Sequence, residues 1–93
     1  MLSVRRLVWN PGNVAHIARH KVKPDDVEEV CHTEPVAQMG KFGRLLVLGP
    51  TQKGRILTIV LDATETPGVY YVVTARPSSR QERRIYSQRK GGR

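Results

Sequence analysis

The sequence predicts an α+β fold: an antiparallel sheet of about four strands, two short helices before it, and a basic helix after it. Three observations carry that prediction. Two stretches near the start, opened by Pro11 and Pro24, have apolar residues at helical spacing. From residue 35 to residue 73 the pattern changes to apolar runs separated by glycine- and proline-containing turns, as in consecutive antiparallel strands. After Pro77 the chain turns arginine-rich and favours helix. At 93 residues this is one domain, 1–93, with helices packed on the sheet.

Residues 4–9 mix β-branched and aromatic side chains with Arg5 and Arg6, which predicts a first strand at a sheet edge. Asn10 offers an N-cap oxygen, and Pro11 fills the first helical turn, where its missing N–H costs nothing. Val14, Ile17 and Ala18 follow at helical spacing, so this helix runs to about His20. In the second helix Asp25 and Asp26 complement the positive end of the helix dipole, and Val27, Val30 and Cys31 form the buried stripe. A tight turn joins the two helices, which are expected to pack as a hairpin.

Strands are predicted over 36–39, 44–49, 55–62 and 69–73, with Pro77 breaking the chain before the last helix. In the strongest strand Leu57, Ile59 and Leu61 point one way and Ile56, Thr58 and Val60 the other. Both faces are largely apolar, whereas a sheet covered on one side needs a polar second face. The second face is therefore expected to be covered, by the C-terminal helix or by another protein chain. Simple alternation puts Arg76 in line with Tyr70, Val72 and Thr74. Ser79 and Glu82 have the spacing of a capping box. The basic residues over about 87–93 have too little apolar surface to require order.

Net charge is +8. Seven basic residues against one acidic residue from Arg76 onward leave +6 of it at the C-terminal end. This asymmetry points to a polyanionic partner. A membrane surface would want an apolar helix face, and only Ile85 and Tyr86 are available there. No apolar run is long enough to span a bilayer and the first residues lack a signal-peptide core, so the expected location is the cytoplasm. One cysteine, Cys31, excludes an internal disulfide and fits a reducing compartment. His16 and His20 are four apart but lack the further ligands of a metal site, so no metal and no cofactor are expected.

Several stretches resemble one family: Trp9-Asn10-Pro11, residues 16–30 (HIARHKVKPDDVEEV), Gly54-Arg55-Ile56-Leu57, Thr74-Ala75-Arg76-Pro77 and Glu82-Arg83-Arg84-Ile85-Tyr86. In this order and spacing, over about residues 7–88, the chain looks like the BrnT family, toxins of type II toxin–antitoxin pairs with a RelE-like fold. The resemblance implies a metal-independent endoribonuclease that restrains translation and growth. Its implied partners are RNA and a small DNA-binding antitoxin of the ribbon-helix-helix type, with higher-order complexes on operator DNA. A non-catalytic nucleic-acid-binding module, or a degenerate toxin retaining the basic surface and antitoxin binding, is the alternative.

Cleavage through the ribose 2′-hydroxyl needs a proton acceptor, a proton donor for the departing 5′-oxygen, and cations for the charged phosphorane. Arg76, at the strand-to-helix junction where the resemblance implies a phosphate-binding arginine, is the candidate for charge stabilisation; the bland alternative is a surface ion pair. Glu82 is a candidate general base, or simply the capping-box carboxylate. Tyr86 shares its helical face, with Arg83 adjacent. It can stack on a base, donate a proton, or pack against the sheet. His20 is a candidate because an imidazole is chemically apt as acid or base, but it also sits where histidines interact with the last helical carbonyls. Arg19, Lys53, Arg55, Arg80 and Arg84 are the candidate RNA contacts.

Overall fold

In the computed structural model, which describes residues 4–91, the chain runs β1 (Arg6–Val8), α1 (Pro11–Ala18), α2 (Pro24–Cys31), β2 (Val36–Met39), a 3-10 turn (Lys41–Gly43), β3 (Leu45–Pro50), β4 (Ile56–Ala63), β5 (Val69–Pro77) and α3 (Arg80–Lys90). Among the described residues the sheet has five strands in the order β1-β5-β4-β3-β2. The meander from β2 to β5 is antiparallel, as the short turns require. β1 lies at an edge but runs parallel to β5. The sheet is thus mixed rather than wholly antiparallel, and all five stretches expected as strands take part in it. The chain leaves β1 at one edge and returns as β2 at the other, so the helical segment between them must cross the whole face.

α1 begins as the sequence requires. The Asn10 side chain accepts from the Asn13 backbone N–H (2.9 Å), and Asn13 Oδ1 accepts from the Asn10 N–H (2.9 Å). Both orphan donors at the helix start are satisfied. The regular helix stops at Ala18, and its last turn closes when the N–H groups of Lys21 and Val22 donate to Ala18 and Ile17. This is a Schellman closure, with Ile17 packed near Val22 and Lys21 in the left-handed region at φ +60°. Lys23 has no side-chain acceptor to cap α2, but Asp26 reaches back to the Lys23 N–H at 3.0 Å. Rather than chiefly pairing with each other, the two helices pack on the sheet, α1 on β5 and α2 on β3 and β4. Gly49 allows the second approach: a Cβ there would lie 3.1 Å from Val30 Cγ1.

The core lies between these helices and one sheet face. Ile17, Val27 and Val30 meet Val47, Leu57, Ile59, Leu61, Val72 and Ala75, all fully buried. Each of the valine, leucine and isoleucine side chains contributes about 2 kcal/mol of burial. α3 crosses the opposite face over β3 and β2, so the expectation of a covered second face holds on that side. Leu46 and Val60 remain half-exposed there.

Three expectations need correction. β5 continues to Pro77 rather than ending at Val73, and Thr58, Ile59 and Leu57 pair with Arg76, Ala75 and Pro77. Proline is tolerated because β1 pairs only as far as Tyr71, leaving the rest of β5 as an edge. The alternation also breaks. Val60 pairs with Thr74 and Leu61 with Val72, so Val73 is a bulge residue and Arg76 faces away from Val72, not with it. Finally, residues 87–90 belong to α3 rather than to a tail, with Arg89 donating to Ala37 O (3.4 Å) and Lys90 to Glu34 O (2.9 Å). Residues 92 and 93 lie outside the described residues. Among the described residues no helix is long and apolar enough to cross a membrane.

Candidate functional site

The bulge in β5 decides where the site lies. It turns Arg76 to the α3 side of the sheet, opposite Thr58 and above the start of that helix. Ser79 caps α3, its hydroxyl accepting from the Glu82 N–H (3.2 Å) while Glu82 Oε1 accepts from the Ser79 N–H (2.8 Å). The capping box therefore aims the Glu82 carboxylate back at the junction. There Arg76 grips it with both terminal nitrogens, Nη1 to Oε1 and Nη2 to Oε2, each at 2.8 Å. The Thr58 hydroxyl donates to the same Oε1 at 2.9 Å. Ser78 Oγ lies 2.7 Å from Thr58 Oγ1. Arg83 folds over the junction, its Nη1 donating to Ser78 O at 2.9 Å.

The electrostatics follow from these contacts. The Arg76 guanidinium, with help from the Ser79 N–H and Thr58 hydroxyl, holds the Glu82 carboxyl down at about 2 against the opposing effect of burial. The Glu82 carboxylate in turn raises Arg76 above its ordinary value. Glu82 is thus an ionised anchor with its oxygens already occupied, poorly suited to accept a proton near neutrality. Arg76 is 39% exposed at its side chain and Glu82 21%. Because Glu82 takes the Nη1/Nη2 end of the guanidinium, the side-on fork of Nε and the outer Nη2 hydrogen has no acceptor among the described residues.

Other candidates gather at the same end of the sheet. The Ser78 N–H donates to Ile56 O, which brings the β5–α3 junction beside the start of β4. Arg55, just before that strand, donates from Nη1 to Lys21 O at 2.9 Å and ties the β3–β4 turn to the loop after α1. Arg19 and His20 in that loop, Lys53 and Arg55 in the turn, and Arg76, Arg80 and Arg83 at the junction thus come from three chain segments to one end. Arg19, Lys53, Arg80, Arg83 and Arg84 are exposed, while His20 and Tyr86 are half-buried. The His20 ring meets His16 edge-on at 5.9 Å. Among the described residues no hydrogen bond joins His20 or Tyr86 to Arg76 or Glu82.

Sequence reasoning missed Thr58 and Ser78 as members of the site. The available signal was Thr58, a lone hydroxyl inside an apolar strand. Elsewhere, burial and then the Glu28 charge push the Cys31 thiol up to about 12, so it is no thiolate nucleophile. Among the described residues no three His, Cys, Asp or Glu side chains are grouped as a metal ion would need. A groove of about 1060 Å³ lined by residues including Ala37, Met39, Leu45 and Tyr70 contains none of the predicted site residues. No family model matches the chain, and no curated protein matches it either.

Proposed function

We propose that this protein is an RNA-cleaving toxin similar to the BrnT family, acting in the cytoplasm without a metal ion and held in check by a small DNA-binding antitoxin. The observation that supports this reading is a half-exposed arginine with an open fork at the β5–α3 junction, at the end of the sheet to which the basic residues of the α1 loop and the β3–β4 turn also come. In the proposed reaction the ribose 2′-oxygen attacks the neighbouring phosphorus and the 5′-oxygen departs. The products are a 2′,3′-cyclic phosphate and a 5′-hydroxyl. Arg76 stabilises the charge that develops on the non-bridging oxygens, which its planar fork matches. Arg83 reinforces that charge. Arg19, Lys53, Arg55, Arg80 and Arg84 hold the backbone on either side. Glu82 serves as the anchor of Arg76, which leaves His20 and Tyr86 as the candidates for proton transfer.

The saturated Glu82 carboxylate favours a second reading, a nucleic-acid-binding module without chemistry. Expression of the Arg76→Ala variant separates the two. The toxin reading predicts growth arrest by the wild type, and its loss in a variant that keeps the native far-ultraviolet spectrum. A harmless wild type that still binds RNA supports the binding module, and a fully toxic Arg76→Ala protein removes Arg76 from the mechanism.

A further inference from the structure

Thr58 sits on the central strand β4, fully buried, between Leu48 of β3 and Arg76 of β5 in the register. Valine would fill the same space, with a good strand propensity and no polar atom to satisfy. What the hydroxyl adds is its hydrogen bond. It has one hydrogen, and that hydrogen goes to Glu82 Oε1. The buried Ser78 hydroxyl must then donate to the Thr58 oxygen at 2.7 Å. A directed chain results, from Ser78 to Thr58 to Glu82, and Arg76 closes it from the other side. Thr58 and Ser78 are fixed by the sheet and by burial, whereas Glu82 and Arg76 have long side chains with several rotamers. The two hydroxyls therefore supply the rigid end of the chain.

We infer that Thr58, backed by Ser78, is a positioning residue that orients Arg76 through Glu82, so that the side-on fork of Arg76 stays open to a phosphodiester oxyanion. This rests on the reading of Arg76 as a phosphate-binding side chain given above. It assigns Glu82 to the support of that arginine instead of to proton transfer.

The test uses the full chain and its Thr58→Val and Thr58→Ser variants, with three readouts. These are the nitrogen-15 signal of Arg76 Nε, the carbon-13 titration of the Glu82 carboxyl, and the affinity for a single-stranded oligoribonucleotide blocked at its 2′-oxygens. Thr58→Val should average the Arg76 signal toward that of a mobile arginine and raise the Glu82 midpoint by about one pH unit. It should also weaken the oligonucleotide by about three- to tenfold. Thr58→Ser should restore all three, which mere filling of the sheet would not do. An unchanged Arg76 signal and Glu82 midpoint in folded Thr58→Val overturn the positioning role. Should that variant fail to fold, Ser78→Ala poses the same question from the outer end of the chain, and unchanged signals there overturn it equally. If the wild type does not bind the oligonucleotide, the phosphate half of the inference and the functional reading fall together, while the two resonance signals still decide the positioning half.

Discussion

Glu82 shows how one side chain can serve local structure and a site at once. It closes the capping box of α3 through Oε1 and anchors Arg76 through Oε1 and Oε2 together. Its carboxyl is depressed from 4.5 to about 2, so it binds protons more weakly in the folded chain than in the unfolded one. The stabilisation is therefore complete above about pH 4.5 and is lost as pH falls toward about 2. Its size is on the order of 2 kcal/mol once screening at the half-exposed Arg76 is allowed for. Denaturant titrations of Glu82→Gln against the wild type should show a gap of that order at neutral pH that closes over this window. A gap independent of pH would place the effect elsewhere. The capping box was legible from Ser79 and Glu82 alone. The fork to Arg76 was not, because it depends on the bulge at Val73, which one extra residue creates without altering composition or hydropathy.

At the scale of elements, the buried Asn13 is the joint between α1 and the sheet. Its side-chain nitrogen donates to Val8 O at 2.9 Å and Val72 O at 3.1 Å while its oxygen closes the helix cap. Val72 lies just past the end of β1, so this carbonyl has no partner in the β1 ladder there. Asn13→Ala should cost about 2–3 kcal/mol in a urea titration, because it strands buried carbonyls as well as removing the cap. The end of the same helix carries the opposite opportunity. Lys21 holds φ +60° at the position a glycine adopts freely, so Lys21→Gly should stabilise the chain by about 0.5–1 kcal/mol in the same assay. Helix starts, buried stripes and strand spans were readable because they are local: β2 falls at Val36–Met39 as the pattern 36–39 requires. Asn13 escaped the sequence analysis because its partners Val8 and Val72 are brought together only by the fold.

For the molecule as a whole, the α+β class followed from the order of patterns, but the mixed sheet did not. The parallel pairing of β1 with β5 joins residues more than sixty positions apart, such as Arg6 with Val69, and no local period encodes it. That pairing, with the helical crossing it forces, brings the loop after α1 to the same end as the β3–β4 turn and the β5–α3 junction. The charge asymmetry pointed to a polyanionic partner; the topology brings basic residues of three chain segments to one end of the sheet. Incubation of the purified protein with a defined single-stranded RNA and its 2′-deoxy counterpart, with chelator present and the new ends identified, tests the central claim most directly. The account predicts cleavage of the RNA alone, leaving a 2′,3′-cyclic phosphate and a 5′-hydroxyl. Cleavage of both strands, or loss of activity with the chelator, would contradict it.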